Sequence, residues 1–135
     1  MIWERAAQKL TKKQVQVVFT ALPPGITGLY DKDINGLVVV VDAGLEPAEK
    51  LWVFLHEVAH IKLGHADKLP ALTNGRLRVL PRAAAAAVAD PTYKDTKDER
   101  IAEGLANFWQ EQINDVSWRG GWNPELKLET WLKGL

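Results

Sequence analysis

Apolar residues recur at helical spacing in some stretches of this chain and at strand spacing in others. Trp3, Ala6, Ala7 and Leu10 fall on one side of a helix predicted over residues 2–10. Residues 14–19 read Gln-Val-Gln-Val-Val-Phe, β-branched and partly alternating, and predict a strand that Leu22-Pro23-Pro24-Gly25 ends. A second short strand is expected over residues 26–30. Residues 31–36 then read as a turn, with Asn35-Gly36 the strongest hairpin signal in the chain. The aliphatic run Leu37-Val38-Val39-Val40-Val41 predicts a third strand buried on both faces. Pro47 suits the first turn of a helix over residues 47–63, and Gly64 suits its end.

That helix is apolar nearly all round. Leu51, Trp52, Phe54, Leu55, Val58, Ala59 and Ile61 cover most of its circumference, which predicts a central, buried position. Its polar exceptions form one motif, His56-Glu57-Val58-Ala59-His60. Residues four apart share a helix face, so both imidazoles can reach a single tetrahedral zinc ion. Glu57, next to the first histidine, is not a ligand; its carboxylate is placed to act as general base on a water at the metal. A lone histidine on an apolar helix is more often a hydrogen-bonded core residue than a ligand. Here a second histidine, a glutamate and a further carboxylate downstream complete a recognisable set.

Residues 65–95 are less regular and hold Pro70, Asn74-Gly75, Pro81 and Pro91. A short strand is expected at 77–80 and a helical turn or two at 83–89. Residues 97–114 form the second strong helix, with Ile101, Ala102, Leu105, Ala106, Phe108, Trp109 and Ile113 on its apolar side. Glu99, Glu103, Asn107, Gln110 and Asn114 make a polar stripe. For Gln110 and Asn114 a solvated face explains it. Glu103, mid-helix and downstream of the motif, is the expected third metal ligand, leaving a fourth position for water. Glu99 and Asn107, one turn to either side, are candidate acceptors for the outer nitrogens of the two histidines. A loop at 118–124 and a helix at 125–135 end the pattern.

Composition narrows the chemistry. At 135 residues the chain is expected to be one domain spanning 1–135, large enough for a core without disulfides. With 17 basic and 17 acidic residues the net charge is zero, which gives no reason to expect direct nucleic-acid binding or an anionic membrane as partner. There is no cysteine, so disulfides, thiol catalysis and cysteine metal sites are excluded, and any zinc must be held by histidine and carboxylate. Residues 1–11 are charged and amphipathic rather than a secretory signal, and no apolar run reaches membrane-spanning length; a cytoplasmic protein is expected. Three of the six tryptophans, Trp118, Trp122 and Trp131, fall after residue 117, and core packing is their expected role.

Four stretches together carry a family resemblance: Gly25-Ile-Thr-Gly-Leu-Tyr30, Val39-Val-Val-Asp42, Phe54-Leu-His-Glu-Val-Ala-His-Ile-Lys-Leu-Gly-His65 and Glu103-Gly-Leu-Ala-Asn-Phe108. They resemble the ImmA/IrrE family of metallopeptidases. The resemblance implies an α+β, zincin-like domain, with a sheet of about three strands packed on the helix that carries the motif and a second helix supplying the third ligand. It implies His56, His60 and Glu103 as ligands, Glu57 as base and His65 near the site, and it associates the chain with phages or mobile elements. It also implies proteolysis of a helix-turn-helix repressor, expected here to be a separate protein because the chain leaves no room for its own DNA-binding domain. The chain departs from the family's usual pattern at Leu105, where an acidic residue is common, and after Phe108.

The leading expectation is therefore a gluzincin-like metalloendopeptidase using Zn2+, with Mn2+ an alternative metal. Tyr93, Tyr30 and His65 are the candidates for stabilising the oxyanion. One alternative is a zinc-containing regulatory protein that sequesters its partner without cutting it. Another is a structural zinc closed by His65, which requires the chain to turn at Gly64.

Overall fold

The helical spacing of Trp3, Ala6, Ala7 and Leu10 is realised in α1 (Ile2–Thr11), where all four are buried. The computed structural model describes residues 1–33, 36–68, 96–116 and 123–135, and the remaining elements follow in these segments. They are β1 (Val15–Thr20), β2 (Gly28–Asp33), β3 (Gly36–Asp42), α2 (Pro47–Lys62), a 3-10 turn (His65–Lys68), α3 (Thr96–Asn114) and α4 (Pro124–Lys133). The class is α+β, as expected: a small mixed sheet and four α-helices among the described residues. The strand expected at 77–80 and the helical turns expected at 83–89 lie outside them.

The strand order is β1-β3-β2. β3 pairs in parallel with β1, from Val15 opposite Leu37 to Thr20 opposite Asp42, and antiparallel with β2, from Gly28 opposite Val41 to Asp33 opposite Gly36. Its central place explains the unbroken aliphatic run, since both faces are covered. Val39 and Val41 join Val15, Val17 and the helices in one cluster, while Val38 and Val40 join Leu29, with Val18, Leu22 and Ile26 around them, on the other side.

β2 lies further along the chain than its apolar residues suggested. Asp31, Lys32 and Asp33, read as turn, are part of the strand. Backbone pairing with β3 continues through all three and ends with Asp33 opposite Gly36, the first residue of β3; Ile34 and Asn35 lie outside the described residues. Asp31, opposite Val38, is fully buried, and its Oδ1 accepts the Lys32 N–H at 2.8 Å. A carboxylate inside an antiparallel ladder is invisible to a reading based on side-chain polarity.

α2 is the central element. Leu51 and every residue from Val53 to Ile61 are buried, against the sheet on one side and against α3 and α1 on others. Trp3 sets its edge against Phe54 at 4.9 Å and against Phe19 of β1 at 5.2 Å. α4 begins with Asn123, whose Oδ1 accepts the Leu126 N–H, and buries Leu128, Trp131 and Leu132. Trp131 is thus a core residue; Trp118 and Trp122 lie outside the described residues. Among the described residues no helix is long and apolar enough to cross a membrane.

Gly28 lets α2 and β2 approach each other. A Cβ built there would collide with Val53 Cγ1, and would lie 3.2 Å from the Val40 carbonyl oxygen and 3.3 Å from Glu57 Cγ. Gly104, inside α3, has nothing within 4 Å of such an atom. Opposite effects are expected on unfolding by urea. Gly28→Ala should lose roughly 1–3 kcal/mol by overpacking, whereas Gly104→Ala should gain up to about 1 kcal/mol from helix propensity.

Candidate metal centre

His56, Glu57 and His60 sit in the buried half of α2, with 7, 4 and 2% of their surfaces exposed. The two imidazoles stack one turn apart, ring centres 4.9 Å from each other. Imidazoles and carboxylates this deep need polar partners, and α3 supplies one. Glu99 Oε2 lies 2.8 Å from His56 Nε2, and Glu99 Oε1 lies 3.3 Å from His60 Nε2. The His60 contact has ion-pair distance without hydrogen-bond geometry, so Nε2 is a buried nitrogen with no hydrogen bond among the described residues.

One donor atom from each of His56, His60 and Glu99 falls within 4.8 Å of the other two. Two imidazole nitrogens and a carboxylate are a donor set suited to zinc, and three protein ligands leave a further position open. The unsatisfied His60 Nε2 points the same way, since an ion would give that atom its missing partner. The residues present therefore fit a divalent ion, and nothing in the donor set separates zinc from manganese.

The third carboxylate is a correction to the sequence expectation. The group contains Glu99, whereas Glu103 is exposed and outside it. The cause is the face that α3 buries. Ala102, Ala106, Trp109 and Ile113 are its buried residues, and Ile101 and Phe108, expected on the apolar side, are 44 and 54% exposed. Stepping back three residues from Ala102 along this stripe of alternating threes and fours leads to Glu99. Glu103 lies about 100° round the helix from Ala102. A narrower apolar stripe, read as Ala102-Ala106-Trp109-Ile113, was the available signal.

Asn107 is not an acceptor for a histidine. Its Oδ1 accepts the Trp52 indole N–H at 2.9 Å, and Trp52 lies tilted against His56 with ring centres 5.0 Å apart. Its link to His56 therefore runs through Trp52. Asn114 is exposed, in keeping with a solvated face, and its Oδ1 accepts from Gln110 Nε2–H; Gln110 itself is half-buried, and its Oε1 has no hydrogen-bond partner among the described residues.

His65 comes back to the site because the chain turns after α2. The Leu63 N–H bonds the Ala59 carbonyl, the Gly64 N–H bonds that of Ile61, and Gly64 takes φ +83°, a conformation that L side chains rarely adopt. The turn carries His65 against His60, with the two Nδ1 atoms 2.8 Å apart. His65 is buried and does not belong to the three-donor group. From the sheet, Tyr30 stacks on His60 with ring centres 4.6 Å apart. Tyr93 lies outside the described residues.

Beside Trp52 a cleft of about 360 Å³ opens between α2 and the start of β2, lined also by Thr27, Ala48, Glu49 and Val53. No family model, curated protein or solved structure matches this chain.

A titration with Zn2+ should find one site. Glu99→Gln should weaken zinc binding at least tenfold, of the order expected when a charged donor becomes neutral (about 1.4 kcal/mol per factor of ten). Glu103→Gln should leave the affinity within twofold. Competition with a chromophoric chelator measures both.

Proposed function

We propose that this chain is a metal-dependent endopeptidase with a zincin-like site, its ion held by His56, His60 and Glu99. One observation carries the reading: two buried histidines of a His-Glu-x-x-His helix and a half-buried carboxylate of a second helix bring donor atoms within 4.8 Å of one another. A zinc ion bound there supplies a Lewis acid for a carbonyl oxygen and lowers the pKa of water toward neutrality.

The chain's own residues do the rest. Glu57 takes a proton from the attacking water as the oxygen–carbon bond forms, and delivers it to the departing amine as the carbon–nitrogen bond breaks. Burial beside Gly28, with Val53 close by, limits the rotamers open to the Glu57 stem and keeps it oriented. Of the oxyanion candidates, Tyr30 stacks its ring on His60 and His65 meets His60 through Nδ1, so both stand beside the proposed site.

Among the described residues β2 is the edge strand on the side of the sheet that touches the motif, because Gly28 meets Glu57 and Tyr30 meets His60. An extended polypeptide adding to that strand would run past the site, and the cleft at Trp52 would take one of its side chains. The resemblance to the ImmA/IrrE family extends the proposal to a DNA-binding repressor on a separate chain as substrate.

Glu57→Gln separates cutting from capture. The variant should retain zinc binding and lose roughly 10²–10⁴-fold in hydrolysis of a repressor encoded beside it, followed by mass spectrometry of the products. If the variant inactivates the repressor as well as the parent does, the protein acts by sequestration and the peptidase reading is wrong.

A further inference from the structure

His60 has two ring nitrogens, and they face different surroundings. Nε2 points to the position shared with His56 and Glu99. Nδ1 meets His65 Nδ1 at 2.8 Å, both rings being buried. On the far side of His65, Nε2 lies 3.5 Å from Asp98 Oδ1 on α3. We infer that His65 and Asp98 are positioning residues that hold His60 in the one tautomer able to bind a metal ion through Nε2; this inference rests on the metal site of the proposed function.

Two neutral imidazoles in contact through nitrogen need one donor and one acceptor. If His65 donates, His60 keeps its own proton on Nε2 and cannot ligate there. That proton would also be buried without a hydrogen bond, because Glu99 Oε1, 3.3 Å away, is poorly directed for one. If His60 donates, its Nε2 is bare. His65 then accepts at Nδ1 and carries its proton on Nε2, facing the Asp98 carboxylate. The second arrangement removes the buried proton that has no hydrogen bond and turns the His65 Nε2 proton toward the Asp98 carboxylate.

Asp98 and Glu99 are adjacent on α3, so one helix turn addresses both ends of the system. Glu99 reaches the ion position directly, and Asp98 reaches it through two rings. Ligating histidines commonly donate their other N–H to a carboxylate or a carbonyl; here a second imidazole is interposed. Its reach depends on Gly64, since the chain must reverse within five residues of His60.

The test uses the full chain and Zn2+ alone. Zinc affinity is measured by chelator competition for the parent, His65→Phe, His65→Gln and Asp98→Asn, with thermal melts of the metal-free proteins alongside. His65→Phe should weaken zinc binding roughly 10–100-fold, the usual effect of losing the outer partner of a ligating histidine. His65→Gln offers an acceptor oxygen and should recover part of the loss, and Asp98→Asn should weaken binding in the same direction. Long-range proton–nitrogen spectra of the zinc-loaded parent should show His60 protonated at Nδ1 and His65 at Nε2. Should His65→Phe fail to fold, Asp98→Asn and the spectra decide alone.

Parent-like zinc affinity in both His65→Phe and Asp98→Asn, or His60 protonated at Nε2 in the loaded parent, overturns the relay while leaving the metal site standing. Loss of zinc by His65→Phe as complete as that of His60→Ala also overturns it, by making His65 a ligand. No zinc bound by the parent refutes the metal site and the relay together.

Discussion

A helix surrounded by protein on nearly every side cannot leave an imidazole or a carboxylate without a polar partner, and α2 is such a helix. Its apolar residues, Leu51, Phe54, Leu55, Val58 and Ile61 among them, are buried almost completely. Each stabilises the fold by roughly 1.5–3 kcal/mol relative to exposure. Their sum is what permits His56, Glu57 and His60 to be buried on the same helix, since each polar group gives up solvation on entering the interior. The neighbouring elements meet these three groups: α3 brings Glu99 to both histidines, the turn after α2 brings His65 to His60, and β2 brings Tyr30 to His60 and lies along Glu57.

Close approach of those elements depends on small residues. Gly28 has no space for a side chain against Val53 and Glu57. Ala102 and Ala106 are small, fully buried residues of α3, which packs along α2. The order of contacts, Trp52 with Asn107 and then His56 with Glu99, shows the two helices running in opposite directions. In that arrangement the start of α3 lies beside the end of α2. Asp98 and Glu99 therefore face the histidines, while Glu103, a turn later and off the buried stripe, faces solvent. The proposed hydrolytic site thus stands where α2, α3 and β2 meet, with a cleft at Trp52 next to it.

The elements were largely legible in the sequence. Period, breakers and caps located α1, β1, β3, α2, α3 and α4 to within a few residues, because each carries its own local signal: an apolar stripe, a β-branched run, a proline at a helix start, a glycine at a helix end. The motif on α2 was equally plain, since i and i+4 spacing needs nothing beyond the helix itself. β2 was the exception. Its second half is polar, and only pairing with β3 makes Asp31, Lys32 and Asp33 a strand.

What the sequence by itself determined, then, is a buried helix bearing two histidines and a glutamate, a sheet before it and a second amphipathic helix after it. Tertiary structure alone decided which carboxylate answers the histidines, that β3 lies between a parallel β1 and an antiparallel β2, and that His65 folds back onto His60. The physical reason is common to all three. Each depends on the rotation and approach of one element against another, set by the packing of residues distant in sequence. Glu99 and Glu103 are equivalent in local propensity, and only the face that α3 turns toward α2 distinguishes them.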